Sequence, residues 1–317
     1  MDLDYDALTQ QFAAITDTDE ACAHYYLQDT DWDLQRGINA YYADANGAAS
    51  CGIDESIKLK VITWNIDGLS QRSLKSRTNA AIDVLKSESA DIVFLQEVVN
   101  ESYDLISSAL SSTYQIVSGR ADNVPLPYYT IVLLRRAKEI KLDQFDVQPF
   151  PTSQMGRTLL VLQAKLKHVN LQLFTAHLES MKERQHSTER TSQLQRCFTN
   201  VRNVLDKGGA TMVILAGDLN LRDSELDSIG GIPGDIQDAW IATGQNAATR
   251  YTWDTTKNDN LQAPFSSKCR FDRVYFAASA PLSVECQSFA LCGQQRIRTT
   301  LCFPSDHWGI VTEFVIN

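Results

Sequence analysis

Polar and charged side chains follow the ends of several apolar segments in this sequence, where a rigid sheet commonly presents catalytic groups. Six segments have this form, of which 175–180 and 270–273 are the less clear two. The inventory contains carboxylates, asparagines and histidines but no cysteine. The four clearest segments are Asn65-Ile66-Asp67-Gly68, Gln96-Glu97, Asp218-Leu219-Asn220 and Ser305-Asp306-His307.

These residue types indicate a divalent cation acting on a phosphate group. Oxygen-rich ligands without thiolates favour Mg²⁺, with Mn²⁺ as a substitute, over Zn²⁺. A hard cation held by few carboxylates leaves positions for phosphate oxygens, and Asn and His side chains donate to phosphate without adding negative charge. A metal, a base and donors to the developing charge are what hydrolysis of a phosphodiester requires. Each segment alone is more often an ordinary turn, so the prediction depends on their joint occurrence.

Alternating strands and helices must position these segments from residue 57 onward. The apolar patterns predict helices over 76–87, 100–110 and 187–206. Such a mixture indicates two sheets packed face to face with helices on the outer faces, a four-layer α/β sandwich. The predicted strands are 58–64, 91–95, 129–134, 158–166, 170–176, 211–216, 271–277 and 309–316.

The first 45 residues have a different pattern, with apolar residues at helical spacing in three short stretches. They predict a three-helix module, with Asp31 capping the third helix. Residues 46–56, with glycines and other small residues, are predicted to link this module to a domain of residues 57–317. The three predicted apolar stripes are Leu8, Phe12 and Ile15; Ala21, Tyr25 and Tyr26; and Leu34, Ile38, Tyr41 and Tyr42.

The acidic charge of the chain is concentrated at its N-terminus. The 317 residues have a net charge of −10, but residues 1–55 carry twelve acidic side chains and one basic one. Residues 56–317 carry 27 acidic and 28 basic side chains. Because the large domain also holds the carboxylates of the predicted site, its other surfaces are expected to be net basic and compatible with nucleic acid.

Membrane and disulfide classes are disfavoured by the sequence. No apolar run reaches membrane-spanning length, and the acidic N-terminus lacks a basic-then-apolar leader. We therefore expect a soluble, intracellular protein with no membrane partner. The seven cysteines form no C-x-x-C pair, which favours reduced structural thiols over zinc sites or a disulfide framework.

The order of the four motifs resembles the endonuclease/exonuclease/phosphatase superfamily, which includes DNase I, the apurinic endonucleases and the inositol polyphosphate 5-phosphatases. The resemblance covers 57–317 and rests on Thr63-Trp64-Asn65, Leu95-Gln96-Glu97, Gly217-Asp218-Leu219-Asn220 and Ser305-Asp306-His307. Longer matches at 63–69, 177–180, 217–223, 251–254, 270–273 and 303–309 are similar to the branch that hydrolyses 5′-phosphotyrosyl bonds in DNA. Residues 1–45, notably Asp31-Trp32-Asp33-Leu34, resemble a UBA domain. The resemblance implies a DNase I-like sandwich carrying a UBA-like, ubiquitin-binding module.

The resemblance also implies metal-site roles for three carboxylates. Glu97 would be the direct Mg²⁺ ligand. Asp67 and Asp306 would act on the metal through water or neighbouring groups, although either could instead be a turn or cap residue.

Further roles concern the reacting water and phosphate. Asp218 would act as the general base, Asn220 would orient the water, and Asn65 would bind the phosphate. His307 would donate to a phosphate oxygen, and Asp272 would hold its ring. An ordinary salt bridge from Asp272 to Arg270 or Arg273 is the alternative.

Contacts to DNA are likewise implied by the resemblance. Tyr128, Trp253 and Phe271 would hold the 5′-terminal nucleotides by stacking, with core packing as the alternative. Arg157 would lie over the face of Trp253 as a cation–π pair. The full set expected against DNA is Asn65, Ile66, Asp67, Gly68, Leu69, Tyr128, His177, Leu178, Glu179, Ser180, Asn220, Leu221, Arg222, Trp253, Phe271 and His307.

The implied reaction is hydrolysis of the bond between a DNA 5′ end and the tyrosine of a trapped type II topoisomerase, leaving a 5′ phosphate. Double-strand break repair in the nucleus, with the cytoplasm as a second compartment, would follow. Alternatives within the superfamily are abasic DNA, RNA, an inositol phosphate or a sphingolipid, the last disfavoured because no membrane-binding loop is evident. A non-catalytic ubiquitin-binding adaptor is disfavoured because Asn65, Glu97, Asp218, Asn220 and His307 are all present.

Overall fold

The structure, a computed structural model, describes residues 4–48, 56–120 and 127–317. The chain divides into two compact units, Met1–Ser56 and Ile57–Asn317. Within the described ranges, no helix has the length and apolar character needed to cross a bilayer. The described cysteines are free thiols, and Cys51 lies outside the described residues.

The N-terminal unit contains the three predicted helices, α1 (Tyr5–Thr16), α2 (Glu20–Asp29) and α3 (Leu34–Ala48). The first two begin where a carboxylate accepts a backbone N–H: Asp4 from Ala7 at 3.1 Å and Asp19 from Cys22 at 2.8 Å. Their apolar faces close on a small core of Phe12, Ala23, Leu27 and Ile38.

Three details of this unit differ from the prediction. The residue that caps α3 is Asp33, which accepts the Arg36 N–H at 3.0 Å, because Asp31 lies two residues earlier in a left-handed turn with φ 55°. Ala21 and Tyr25 are exposed, since α2 turns Ala23 and Leu27 inward instead, and Ile15 on α1 and Tyr42 on α3 are exposed as well. The predicted linker overlaps the end of α3 at 46–48, and residues 49–55 of it lie outside the described residues.

The large unit is a mixed α/β domain. Its helices are α4 (Leu74–Glu88), α5 (Asn100–Leu110), α6 (Arg184–Leu205), α7 (Asp223–Ser228) and α8 (Ala239–Ala242). Its strands are β1 (Ile57–Asn65), β2 (Ile92–Val98), β3 (Tyr114–Ser118), β4 (Tyr129–Arg135), β5 (Lys141–Pro149), β6 (Thr158–Leu166), β7 (Val169–His177), β8 (Thr211–Asp218), β9 (Gln237–Asp238), β10 (Trp253–Asp254), β11 (Lys268–Cys269), β12 (Asp272–Ala278), β13 (Val284–Cys292) and β14 (Gly309–Ile316).

Two six-stranded sheets share one plan. Their strand orders are β13-β14-β1-β2-β4-β3 and β5-β6-β7-β8-β12-β9. In the first, α4 connects the parallel pair β1 and β2; in the second, α6 connects the parallel pair β7 and β8. Parallel neighbours end at the same edge of a sheet, so each sheet brings two strand ends together there.

Three separate apolar clusters correspond to the interfaces of a four-layer sandwich, which confirms the predicted architecture. Side chains such as Phe94 and Ile214 pack between the two sheets. Leu85 and Ile106 pack α4 and α5 against the outer face of the first sheet. Phe198, on α6, packs against the outer face of the second sheet.

The longer strands that the sequence did not predict, β3, β5 and β13, all lie at sheet edges, and the two-residue strands β9, β10 and β11 were not predicted either. Edge strands are short or exposed on one side, so they lack the continuous apolar run of the central strands. Most residues of β5 are exposed or only partly buried.

Two glycines permit close backbone approaches next to the predicted site. A Cβ at Gly68 would lie 2.0 Å from the carbonyl oxygen of Glu97, which instead accepts the Gly68 N–H at 3.1 Å. A Cβ at Gly217, where φ is 154°, would lie 2.0 Å from the carbonyl oxygen of Ala176. Each glycine therefore allows two strand ends that carry site residues to meet.

We predict that Gly217→Ala destabilises the large unit. The added methyl group clashes with the backbone of β7 and cannot be relieved by a side-chain rotation, so the free energy of unfolding should fall by about 1–3 kcal/mol or more. Gly234→Ala is the control, since its Cβ would meet nothing within 4 Å. Denaturant unfolding of both variants measures the difference, and equal stability would contradict the prediction.

Candidate active site

The carboxyl ends of four central strands supply one polar cluster. Asn65 ends β1 and Glu97 lies near the end of β2 in the first sheet. His177 ends β7 and Asp218 ends β8 in the second. Because the two sheets are stacked, the four side chains meet at one edge of the sandwich, as the sequence predicted for strand-end residues.

Asn65 joins carboxylates from the two sheets. Its Nδ2 donates to Glu97 Oε1 at 3.1 Å and to Asp218 Oδ2 at 2.9 Å. Its Oδ1 accepts the backbone N–H of Asp67 at 2.9 Å, which fixes the amide orientation. Both hydrogens of the amide are therefore directed at the two carboxylates whose separation defines the site.

Asp218 is a buried carboxylate surrounded by donors. Burial alone would raise its pKa, but His307, His177 and the amide of Asn65 together lower it. Its Oδ2 lies 3.3 Å from His177 Nε2, and its Oδ1 accepts the backbone N–H of Asn220 at 3.0 Å. The group is thus held ionised and able to accept a proton.

The two histidines of the site, His177 and His307, differ in protonation state. Burial, helped by Arg157, lowers the pKa of His177 well below its usual value, so this ring is neutral. Burial would also lower the pKa of His307, but Asp272 and Asp218 raise it well above the usual value. The ring of His307 is therefore a cation.

His307 is held by Asp272, as the sequence predicted. His307 Nδ1 lies 2.8 Å from Asp272 Oδ2, and Nε2 lies 3.7 Å from Asp218 Oδ2. Asp272 begins β12 and is paired with Asp218 across the sheet, which explains why both carboxylates reach one ring. Arg270 and Arg273 instead bind Asp238 and Asp223, so the alternative salt bridge to Asp272 is not formed.

Two groups of residues could be considered for a metal ion. Ligand atoms of Asp218, Asp272 and His307 lie within 4.8 Å of one another. A protonated imidazole has no free lone pair for a metal, however, so this group is better suited to holding a proton.

Glu97 and its acidic neighbours fit a hard cation better. Burial and then Asp306 raise the pKa of Glu97 to about 7, and burial and then Asp306 raise that of Asp67 to about 7. Three crowded carboxylates with oxygen ligands alone form a set that Mg²⁺ or Mn²⁺ would stabilise. Among the described residues, the side-chain hydrogen-bond donor to the Glu97 carboxylate is Asn65.

Arg77 is a buried residue of the site that the sequence analysis missed. It donates to Asp67 Oδ2 at 3.0 Å and to the carbonyl of Ser70, both in the loop after β1. It also donates to the carbonyl of Pro304, in the loop that carries Asp306 and His307. One guanidinium thus fixes two loops. The sequence feature that could have identified Arg77 is its position one helical turn before Ala81, which places a charged residue on the apolar face of α4.

Arg190 has the equivalent role in the second sheet. Its guanidinium donates to the carbonyls of Glu179 and Met181, directly after β7, and pairs with Glu225 on α7. Glu225 in turn accepts the backbone N–H of Arg222 at 2.9 Å. The residues after His177 and those after Asp218 are therefore fixed to each other.

A row of aromatic rings extends from the site on one side. The ring centroid of Phe271 lies 6.4 Å from that of His307 and 5.5 Å from that of Trp253. Trp253 Nε1 donates to Asp306 Oδ2 at 3.1 Å, and the guanidinium of Arg222 lies over Phe271 at 5.4 Å. Phe265, which the sequence analysis did not single out, continues the row at 6.5 Å from Trp253.

Tyr128 lies on the other side of the site. Its ring centroid is 6.0 Å from that of His177. Arg157 lies over Tyr128 at 5.2 Å, so its predicted pairing with Trp253 is wrong. The loop carrying Arg157 is bound to Glu179, whose carboxylate accepts from Ser153 and the Gln154 backbone, and this places Arg157 at the β7 side of the site.

The remaining residues expected against DNA differ in their exposure. Leu69 is exposed, and Ser180 accepts from Arg157 Nη2 at 3.5 Å beside the site. Side chains directed into the protein, which could reach a ligand only through their backbone, are Ile66, Leu178, Glu179 and Leu221.

Comparison with known proteins identifies both units. The profile of the Endonuclease/Exonuclease/phosphatase family matches residues 62–307, and that of the UBA-like domain matches residues 6–48. The 5′-tyrosyl-DNA phosphodiesterase of Caenorhabditis elegans is 39% identical, and the match covers 96% of this chain and 86% of that protein. Tyrosyl-DNA phosphodiesterase 2 of Xenopus tropicalis is 32% identical over 96% and 91% of the two chains.

A solved structure shares the fold. The crystal structure of D. rerio TDP2 complexed with single strand DNA product superposes with a TM-score of 0.75 at 36% identity. It covers 81% of this chain and 98% of that one.

We predict that Arg77→Met strongly destabilises the large unit, because it leaves the buried Asp67 carboxylate and several loop carbonyls without a donor. The free energy of unfolding should fall by about 3–5 kcal/mol. Adding Asp67→Leu should restore part of the loss, since the uncompensated charge is then removed. Denaturant unfolding of the two single variants and the double variant measures this coupling; strictly additive losses would contradict it.

Proposed function

The chain belongs to the endonuclease/exonuclease/phosphatase family, in the branch of tyrosyl-DNA phosphodiesterase 2, and we propose that it hydrolyses 5′-phosphotyrosyl bonds at DNA ends. One observation carries the proposal. Asn65 holds the ionised Asp218 and the acidic Glu97 on either side of its amide, and Asp272 holds the cationic His307 with its Nε2 3.7 Å from Asp218 Oδ2, so that all three can reach one phosphate position. This arrangement supplies a base, a phosphate donor and a metal ligand without any protein nucleophile.

The proposed cofactor is Mg²⁺, for which Mn²⁺ could substitute. Glu97 would be its direct ligand, and Asp67 and Asp306 would act from the surrounding positions. Bound there, a divalent cation supplies positive charge to the phosphate oxygens.

Asp218 and His307 would share the chemical step. Asp218 takes a proton from the attacking water, whose oxygen forms the new bond to phosphorus while the bond to the tyrosine oxygen breaks. Asn220, next to Asp218, orients that water. His307 Nε2 donates to a phosphate oxygen as negative charge grows on it, and Asp272 keeps the ring protonated and oriented. The tyrosine leaves and the DNA retains a 5′ phosphate.

Arg157 supports the departure of the tyrosine. It is 5% exposed, and its Nε and Nη1 have no hydrogen-bond partner among the residues that the structure describes. A buried guanidinium with unused donors is costly unless an anion completes it. The phosphate and the tyrosine oxygen, on which negative charge develops, would supply such an anion. His177 and Ser180 lie beside Arg157.

The aromatic row would hold the nucleotides next to the 5′ phosphate. Trp253, which is partly exposed, offers a face on which bases stack without sequence preference. Phe271, 8% exposed, packs beside it under Arg222, which contributes positive charge for the DNA backbone. Bases can stack on protein rings only when they are unpaired, so the proposed substrate is a 5′ end with single-stranded character.

The biological substrate that we propose is the covalent adduct between DNA and a trapped type II topoisomerase. Repair of such double-strand breaks would take place in the nucleus, with the cytoplasm as a second location. We further propose that the UBA-like domain binds ubiquitin. Ile15 is exposed at the end of α1, and the hydroxyl of the exposed Tyr42 on α3 donates to its carbonyl, so two exposed apolar residues lie close together there.

The first test compares substrates and metal. The chain should release tyrosine from a 5′-tyrosyl oligonucleotide only with Mg²⁺ or Mn²⁺, and Glu97→Gln should lose activity by orders of magnitude because the ligand charge is removed. Calorimetric titration should show weaker Mg²⁺ binding by the variant. Preferred release of phosphate from an inositol phosphate, or full activity in EDTA, would overturn the proposal.

The second test concerns the 5′ end. Trp253→Ala and Phe271→Ala should raise KM on 5′-tyrosyl DNA more than on a nitrophenyl thymidine phosphate, since each stacked base contributes about 1–3 kcal/mol. A 3′-tyrosyl strand and a closed circular duplex are the controls. Equal cleavage of all three DNAs would indicate a general nuclease instead.

The third test concerns ubiquitin. Ile15→Ser should weaken ubiquitin binding by the full chain at least about tenfold while leaving 5′-tyrosyl hydrolysis unchanged, because a hot-spot side chain contributes more than 1 kcal/mol. Tyr5→Ser, at the opposite end of α1, is the matched control and should bind normally. Absence of ubiquitin binding by the unmodified chain would refute this part of the proposal alone.

A further inference from the structure

A groove adjoins the active site and has no role in the proposed reaction. The site cavity is lined by Glu97, His177, Tyr128 and Arg157. The groove has a volume of about 720 Å³, and Tyr129 lines both spaces. The two therefore meet at Tyr129, whose hydroxyl lies 3.3 Å from Asn100 Oδ1 in the groove.

The groove lies at the end of the site opposite the aromatic row. From Phe271, successive contacts lead to His307 at 6.4 Å between ring centroids and on to Asp218 at 3.7 Å. From Asp218 they continue to His177 at 3.3 Å and to Tyr128 at 6.0 Å between ring centroids. If the DNA strand lies on the aromatic row, the tyrosine and the polypeptide attached to it leave the site toward the groove.

The two long walls of the groove are edge strands. Each of β3 and β5 is the outermost strand of its sheet, so one row of its backbone N–H and C=O groups has no partner strand in the described structure. Consecutive residues of β3 form one wall, and Leu142 and the exposed Phe145 on β5 form the other. The β3 wall comprises Gln115, Ile116, Val117 and Ser118.

The charge of the groove suits a peptide better than a nucleic acid. Among its lining residues, Arg120 is the single cation and Asp104 the single anion. A groove that follows a phosphate backbone would need an excess of cations. Edge-strand backbone, by contrast, pairs with an extended peptide whatever its side chains.

We propose that this groove binds the extended peptide that remains attached to the substrate tyrosine, which adds as a strand to the edge of β3 and covers Phe145. The inference rests on the proposed function and specifies how the protein side of the substrate is held. Asn100 follows Glu97 by three residues, which span at most about 10 Å, so peptide residues within about four positions of the tyrosine would enter the groove. Recognition through the backbone would accept remnants of any sequence.

The test uses three substrates with one oligonucleotide sequence. Its 5′ phosphate is joined to free tyrosine, to tyrosine within a ten-residue peptide, or to the same peptide with N-methylated backbone amides. The peptide should lower KM about fivefold or more relative to free tyrosine, and N-methylation, which blocks strand pairing, should abolish the gain. Equal KM for the first two substrates, or a gain that survives N-methylation, would overturn the groove proposal. Failure to cleave any of the three would instead refute the proposed function.

A matched pair of variants tests the location. Phe145→Ala should remove most of the peptide-dependent gain and leave hydrolysis of the tyrosine-only substrate unchanged. Ile241→Ala, which alters an exposed apolar residue on α8, should leave both unchanged. In addition, the peptidyl oligonucleotide bound to the non-cleaving variant Asp218→Asn should protect amides of β3 from hydrogen exchange. A gain that persists in Phe145→Ala, or unprotected β3 amides, would place the peptide elsewhere and overturn the proposal.

Discussion

The amide of Asn65 is the contact on which the rest of the site depends, because it joins two carboxylates that belong to different sheets. Glu97 and Asp218 would repel each other at this separation unless a donor lay between them. Asn65 supplies that donor without adding charge. Both contacts of Asn65 therefore depend on two features of the fold, the register of β1 against β2 and the stacking of one sheet on the other. The Asp67 backbone N–H fixes the position of the Asn65 side chain.

The two sheets contribute to the site in equivalent ways. In each, a helix connects two parallel strands whose ends carry a neutral side chain and a carboxylate: Asn65 and Glu97 in the first, His177 and Asp218 in the second. In each, the connecting helix also buries an arginine against the loop after its first strand. Such repetition explains how the proposed base, Asp218, and the proposed metal ligand, Glu97, come to face each other from two similar halves.

The sequence predicted the central strands, the outer helices and the strand-end residues because apolar periodicity and polar termini are local signals. Asn65, Glu97, Asp218 and His307 were found in this way, and the structure brings them together. The aromatic partner of Arg157 could not be predicted from the sequence. It depends on a contact between distant residues, the binding of the 153–157 loop by the Glu179 carboxylate. Edge strands such as β5 were missed for a related reason, because a half-exposed strand has no long apolar run.

Three buried arginines near the site differ in whether their charge is neutralised within the protein. Arg77 and Arg190 each have a carboxylate partner and several carbonyl acceptors, so their charges are used within the protein. Arg157 is nearly as buried, yet the described groups that it contacts are the ring of Tyr128, the sulfur of Met155 and the hydroxyl of Ser180, none of which is an anion. A cation–π contact positions a guanidinium without neutralising it. Its charge is consequently available to a ligand, and in the proposed reaction the side of the site that it faces is the one from which the tyrosine would depart.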